Sequence, residues 1–131
     1  MHVRRVCAVA LVLGGVVAAI PVGAHHSNSG FDVEKIIEIK GTVSEWRWTN
    51  PHTWIVLTGV DDGAGGKTTW SAEGRPPGIL GRAGWTKASI KVGDTVGIHC
   101  SPAKDGTHVC LVARVTRADG TVLANAPPPT F

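Results

Sequence analysis

Between residues 36 and 48 the chain carries a run of β-forming residues whose apolar face changes sides partway along. Ile37, Ile39 and Val43 share one parity, whereas Trp46 and Trp48 fall on the other. Side chains alternate across a strand with a period of two. A single strand therefore makes that switch only through an extra residue or a sharp coil, which the sequence places after Gly41. A strand bent this strongly is what a small barrel needs to run from one half of its wall to the other.

The rest of the chain fills in such a barrel. Residues 54–60 read as a second strand, closed by Asp61-Asp62-Gly63-Ala64-Gly65-Gly66, a run that only a turn accommodates. Residues 67–73 form a third strand, ended by Gly74-Arg75-Pro76-Pro77-Gly78, and residues 77–84 form a short helix with proline near its start and glycines that keep it weak. Residues 95–101 and 108–117 return as an antiparallel pair before the Asp119-Gly120 turn. Three strands, a short helix and two strands define an all-β domain with one short helix, best matched by the five-stranded Greek-key barrel of the OB-fold, with a small sandwich as the runner-up. An OB-fold binds over strands 2 and 3, between the loops joining strands 1 to 2 and 4 to 5. In this chain those loops carry His52 and His108.

The N-terminus reads as an export signal. Arg4 and Arg5 precede an apolar run over residues 8–20, broken only by Gly14 and Gly15, and Val22-Gly23-Ala24 offers a small-residue cleavage site. The run is shorter than the roughly 20 residues a membrane span requires, so no membrane anchor is expected after cleavage. The expected organisation is a signal peptide over 1–24, a flexible N-terminal arm over 25–35, a barrel domain over 36–124 and a proline-rich tail over 125–131, with a periplasmic or secreted location. Two of the 13 Lys and Arg and none of the 10 Asp and Glu lie in residues 1–24, which leaves the mature chain at a net charge of only +1. The basic balance of the precursor is partly a property of its signal, and nucleic acid is not an expected partner.

Cleavage after Ala24 exposes His25, whose α-amine and imidazole together clamp one metal ion, with His26 beside it. Copper(II), which prefers nitrogen ligands in tetragonal geometry, suits such a terminus. Cleavage after Gly23 instead places His26 third, and amine, backbone amides and imidazole then wrap copper(II) or nickel(II). His52 leaves the stiff Asn50-Pro51 turn and is aimed rather than floppy, so it supplies a further nitrogen or, in a plainer role, a buried imidazole bonded to a carbonyl. Glu73, closing strand 3, supplies an oxygen to the same metal or pairs with Arg75 or Arg82. His99 and His108 fit a solvated strand face and loop. No nucleophile elbow, phosphate loop, paired catalytic carboxylates or haem motif is present.

Five tryptophans and no tyrosine are more than packing requires. Trp46, Trp48, Trp54, Trp70 and Trp85 either fill the barrel and its mouth or floor an apolar pocket for a small ligand. Cys100 and Cys110 flank a hairpin loop, a spacing that in an oxidising compartment suits a disulfide. Strand parity makes this conditional. Val96, Ile98 and Cys100 share one face, while Val109, Leu111, Ala113 and Val115 make the better apolar face opposite, which turns Cys110 away unless a bulge or slipped register intervenes.

Ala24-His25-His26-Ser27, Phe31-Asp32, Gly41-Thr42-Val43, Asn50-Pro51-His52, Trp70-Ser71-Ala72-Glu73, Gly84-Trp85-Thr86, Lys91-Val92-Gly93-Asp94 and Asp119-Gly120 together resemble an uncharacterised family of small exported bacterial proteins, a domain of unknown function. The resemblance spans nearly the whole mature chain and implies an exported single domain without an assigned activity. His25, His26, His52 and Glu73 lie on its motifs; Cys100 and Cys110 lie outside them. Two readings follow: a binding protein that holds copper or another divalent metal through His25, His26, His52 and Glu73, or a metal-free module that binds a small ligand or an exported protein on a tryptophan-lined barrel face. Processing is checked by intact mass of the exported protein, for which the expected N-terminus is His25; a mass that retains residues 1–24 removes the free amine from every metal argument.

Overall fold

The computed structural model describes residues 28–125; the segment expected to be a signal peptide, His25, His26 and the Pro127-Pro128-Pro129 tail lie outside them. β1 (Ile37–Arg47) serves both halves of the barrel. Its first half pairs antiparallel with β4 (Thr95–Pro102), from Ile37 opposite Cys100 to Thr42 opposite Thr95. Its second half pairs with β2 (Trp54–Asp61), from Thr42 opposite Thr58 to Arg47 opposite Trp54, and the register slips between Val43 and Glu45. Ser44 is the extra residue, and the parity change read from the sequence is this bulge.

Gly41, three residues before it, lies where β1 crosses close over β2. A Cβ there would sit 2.6 Å from the Thr58 carbonyl oxygen and 2.9 Å from Val60 Cγ2, so only glycine lets the two backbones approach this far. β3 (Lys67–Glu73) pairs antiparallel with β2, and its far edge pairs in parallel with β5 (Val109–Arg117), Ser71 to Glu73 opposite Val109 to Leu111. β5 also pairs with β4, and the sheet closes on itself as β1-β2-β3-β5-β4, the strand order of an OB-type barrel. A short β6 (Val122–Ala124), not anticipated from the sequence, pairs with the remaining length of β5.

Val43, Ile55, Leu57, Ala72, Val96, Ile98 and Val115 face inward from five strands and form the core. Burying each large apolar side chain stabilises the fold by about 1.5–3 kcal/mol. The helix α1 (Pro77–Arg82), with Pro77 in its first turn, delivers Leu80 to this core, and the turn that follows delivers Trp85 and Ile90. Thr86 caps a 3-10 turn over Lys87–Ser89 by accepting from Ala88 N–H, while the Ser89 hydroxyl accepts from Thr86 N–H.

The expected inward face of β5 is corrected by a second bulge. His99 pairs with Arg114 but Cys100 pairs with Val112, which leaves Ala113 over. Cys110 and Val112 therefore point inward on one side of the bulge and Val115 on the other, while Ala113 is exposed. Cys100 and Cys110 are fully buried and joined by a disulfide, with their Cα atoms 5.6 Å apart. The start of the described chain, read from the sequence as part of a flexible arm, is docked on the same hairpin. Asp32 N–H donates to the Pro102 carbonyl at 2.9 Å, Lys104 N–H to the Gly30 carbonyl at 2.9 Å, and Phe31 bridges Ala103.

Gly41→Ala is expected to lower stability by about 1–3 kcal/mol, because backbone rather than a pliable side chain must yield. Gly30→Ala, where no atom lies within 4 Å of the added methyl group, is expected to change little; urea denaturation of both variants checks the pair. Reduction of the disulfide, which closes a loop over a sequence separation of 10, should cost about 2–3 kcal/mol by the same measurement.

Candidate functional site

The end of the barrel where β2 begins and β3 ends is tied together by backbone. Gly74 N–H donates to the Thr53 carbonyl at 2.8 Å, and the buried Thr53 hydroxyl donates to the Arg75 carbonyl at 3.0 Å. Gly74 has no side chain because the Thr53 hydroxyl occupies the place a Cβ would take. The clamp fixes the register in which Trp54 faces Glu73, and it leaves His52, separated from the start of β2 by Thr53 alone, beside the last residue of β3. The Asn50–Pro51 peptide that leads into this turn is cis.

His52 Nδ1 and Glu73 Oε1 are in direct hydrogen-bonding contact, with side chains 21% and 18% exposed. Glu73 thus pairs with histidine rather than with Arg75 or Arg82, the partners offered by the sequence alone. Glu73 has little freedom to leave, since its backbone is held by Trp54 of β2 on one side and Leu111 of β5 on the other.

The pair lies on the wall of a depression of about 610 Å³, which Asn28, Phe31, Arg75 and Asn125 also line. Asn125 is fixed there by three hydrogen bonds: Nδ2 to the Val112 carbonyl at 2.6 Å, its own N–H to the Ala113 carbonyl at 3.1 Å, and Oδ1 from Arg75 N–H at 3.3 Å. Asn28, Phe31 and Asn125 carried no sequence signal for a site. Their part comes from β6 and from the docked start of the chain, both of which depend on long-range pairing.

The other candidate residues are dispersed. Trp46, Trp48 and Trp85 form one cluster, with ring centroids 5.6 and 6.1 Å apart; Trp46 Nε1–H donates to the Lys87 carbonyl and Trp85 Nε1–H to the Ala124 carbonyl. Trp70 stacks on His108 at 5.0 Å, while the His108 Nδ1 shares a hydrogen bond with the Thr68 hydroxyl. Trp54 lies under the Arg47 guanidinium at 5.7 Å, a cation–π contact. The five indoles thus occupy three separate places, and none lines the depression beside His52. His99 sits 3.5 Å from Glu38 and 3.4 Å from Arg114 on the opposite strand face. Among the described residues no three His, Cys, Asp or Glu side chains gather as a metal would need. The described part of the chain contributes two such groups at this place, His52 and Glu73.

Fold and site together define a small OB-type barrel with a histidine–carboxylate pair at one mouth. The chain belongs to the family described as Family of unknown function (DUF6152), whose model matches residues 13–112. That span includes His25, His26, His52 and Glu73. No curated protein matches the sequence.

Removing the clamp hydroxyl is expected to be costly. Thr53→Val leaves the Arg75 carbonyl without its donor and should lower stability by about 1–3 kcal/mol in chemical denaturation. Thr58→Val, at a hydroxyl that makes only a long 3.4 Å bond on the exposed side of β2, should stay near wild type.

Proposed function

We propose that this chain is an exported binding protein for copper(II) or a closely related divalent ion, held between the N-terminal His25 and His26 and the barrel pair His52 and Glu73. The observation that carries the reading is the position of Asn28. It lines the same depression as His52 and Glu73, and His26 and His25 precede it by two and three residues, a reach of at most about 10 Å of extended chain. The docking of residues 30–32 on the β4–β5 hairpin supports this further, because it anchors the chain two residues after Asn28 and so fixes Asn28 at that mouth of the barrel.

The chemistry agrees with the placement. An α-amine and three imidazoles form the nitrogen-rich donor set that copper(II) prefers, and a single carboxylate adjoins it. A signal peptide supplies the free amine, since only cleavage creates it. The metal-free alternative, a ligand site on a tryptophan-lined face, has less support, because the indoles are spread over three places and bonded to neighbouring groups.

The test is copper(II) affinity measured by competition with a chromophoric chelator, on protein that starts at His25. His52→Ala is expected to weaken binding by tenfold or more, at least about 1.4 kcal/mol. One residue added before His25 is expected to weaken it as well, by displacing the amine. Saturating copper should raise the melting temperature of the wild type, since a ligand at 100 times its Kd stabilises the folded state by about 2.7 kcal/mol. Equal affinity in wild type, His52→Ala and an isolated peptide of the first mature residues would assign all binding to the free terminus and end the proposal.

A further inference from the structure

Glu73 has two possible roles at this mouth: it can be an oxygen ligand, or it can act through His52. The geometry points to the second, and we infer that Glu73 is a positioning residue that holds the His52 ring by its Nδ1–H and so makes Nε2 the atom that meets the metal. The inference rests on the proposed copper site for the identity of the ligand but not for the hydrogen bond itself.

Three observations carry it. The first is the direct contact of His52 Nδ1 with Glu73 Oε1. A neutral imidazole carries one proton, and a carboxylate can only accept, so this contact selects the tautomer with hydrogen on Nδ1. The second is rigidity. Glu73 sits between two strands, and Thr53, immediately after His52, is buried and bonded across to Gly74 and Arg75 on the far side of Glu73. The backbones on both sides of the pair are therefore fixed to each other, which holds the two Cα positions at a constant spacing.

The third is the environment. Both side chains are about four-fifths buried, and among the described residues the ion partner found for Glu73 is His52. A carboxylate this screened from water holds an N–H donor more strongly than an exposed one does. Carboxylate, imidazole and metal in line is the arrangement by which proteins orient a metal-binding histidine, and loss of the carboxylate typically costs about 10–100-fold in metal affinity. A metal drawn to Glu73 Oε1 would have to take that oxygen from His52 and leave Nδ1–H in a largely buried place without its acceptor, so direct ligation is left to Oε2 alone.

The experiment has a readout that needs no metal. Nitrogen-15 NMR of metal-free protein, at a pH above the usual histidine range, reports the His52 tautomer directly. The expected result is hydrogen on Nδ1 in the wild type and loss of that preference in Glu73→Ala; hydrogen on Nε2 in the wild type, or no change in the variant, overturns the inference. The second arm is copper(II) titration followed by electron paramagnetic resonance. Glu73→Gln, which keeps the shape and an accepting oxygen, should retain the wild-type spectrum with affinity lowered by up to about 100-fold, whereas His52→Ala should change the spectrum. A spectrum altered in Glu73→Gln as it is in His52→Ala would make Glu73 a ligand and overturn the positioning role. If copper does not bind the wild type, the copper reading falls, and the tautomer alone decides whether Glu73 orients the ring.

Discussion

The barrel depends on one close backbone approach. β1 must leave β4 and join β2 without interrupting its hydrogen bonding, and it does so over Thr42, which pairs with Thr95 and Thr58 alike. Gly41 permits the crossing and the bulge at Ser44 turns the strand's inward face to follow it. Closure at the other side, where β3 meets β5 in parallel, is possible only once β1 has bent far enough to bring the two halves round. A closed sheet leaves few strand edges open to other chains, a protection that matters most in a small β domain.

Closure also builds the site. The parallel pairing of Ser71 to Glu73 with Val109 to Leu111 fixes the last residue of β3 in the wall, and the Thr53–Gly74–Arg75 clamp fixes the start of β2 against it. His52 is thereby set next to Glu73 by main-chain constraints, with little dependence on side-chain packing. Pre-organisation of this kind matters for binding, because the ordering of the two groups is completed in folding and not charged against the ligand.

The hairpin of β4 and β5 organises the remaining wall of the depression. The bulge at Ala113 turns Cys110 inward to reach Cys100, and beyond the disulfide the loop offers the carbonyl of Pro102 and the N–H of Lys104 to residues 30–32. The docked segment and the disulfide therefore belong to the same piece of structure, and it carries Asn28 to the mouth where His52 stands.

The sequence by itself determined the five barrel strands, the short helix and the coil in β1, though not β6, because each of these is written in local pattern: alternation, glycine and proline punctuation, and a change of parity within one strand. It also singled out His52 and Glu73 as candidate site residues, and the two stand in contact. Tertiary structure decided the rest. The register slip at Ala113 depends on how β5 meets β4, the docking of residues 30–32 on a loop some 70 residues away leaves no trace in local composition, and the choice of His52 over Arg75 or Arg82 as the partner of Glu73 follows from a register between β2 and β3 that several alternating sequences would satisfy equally. The tryptophans show the same division most clearly: their number signals that they matter, but only long-range packing sends Trp46, Trp48 and Trp85 to one cluster, Trp70 to His108 and Trp54 to Arg47, since an indole carries no local pattern that names its neighbour.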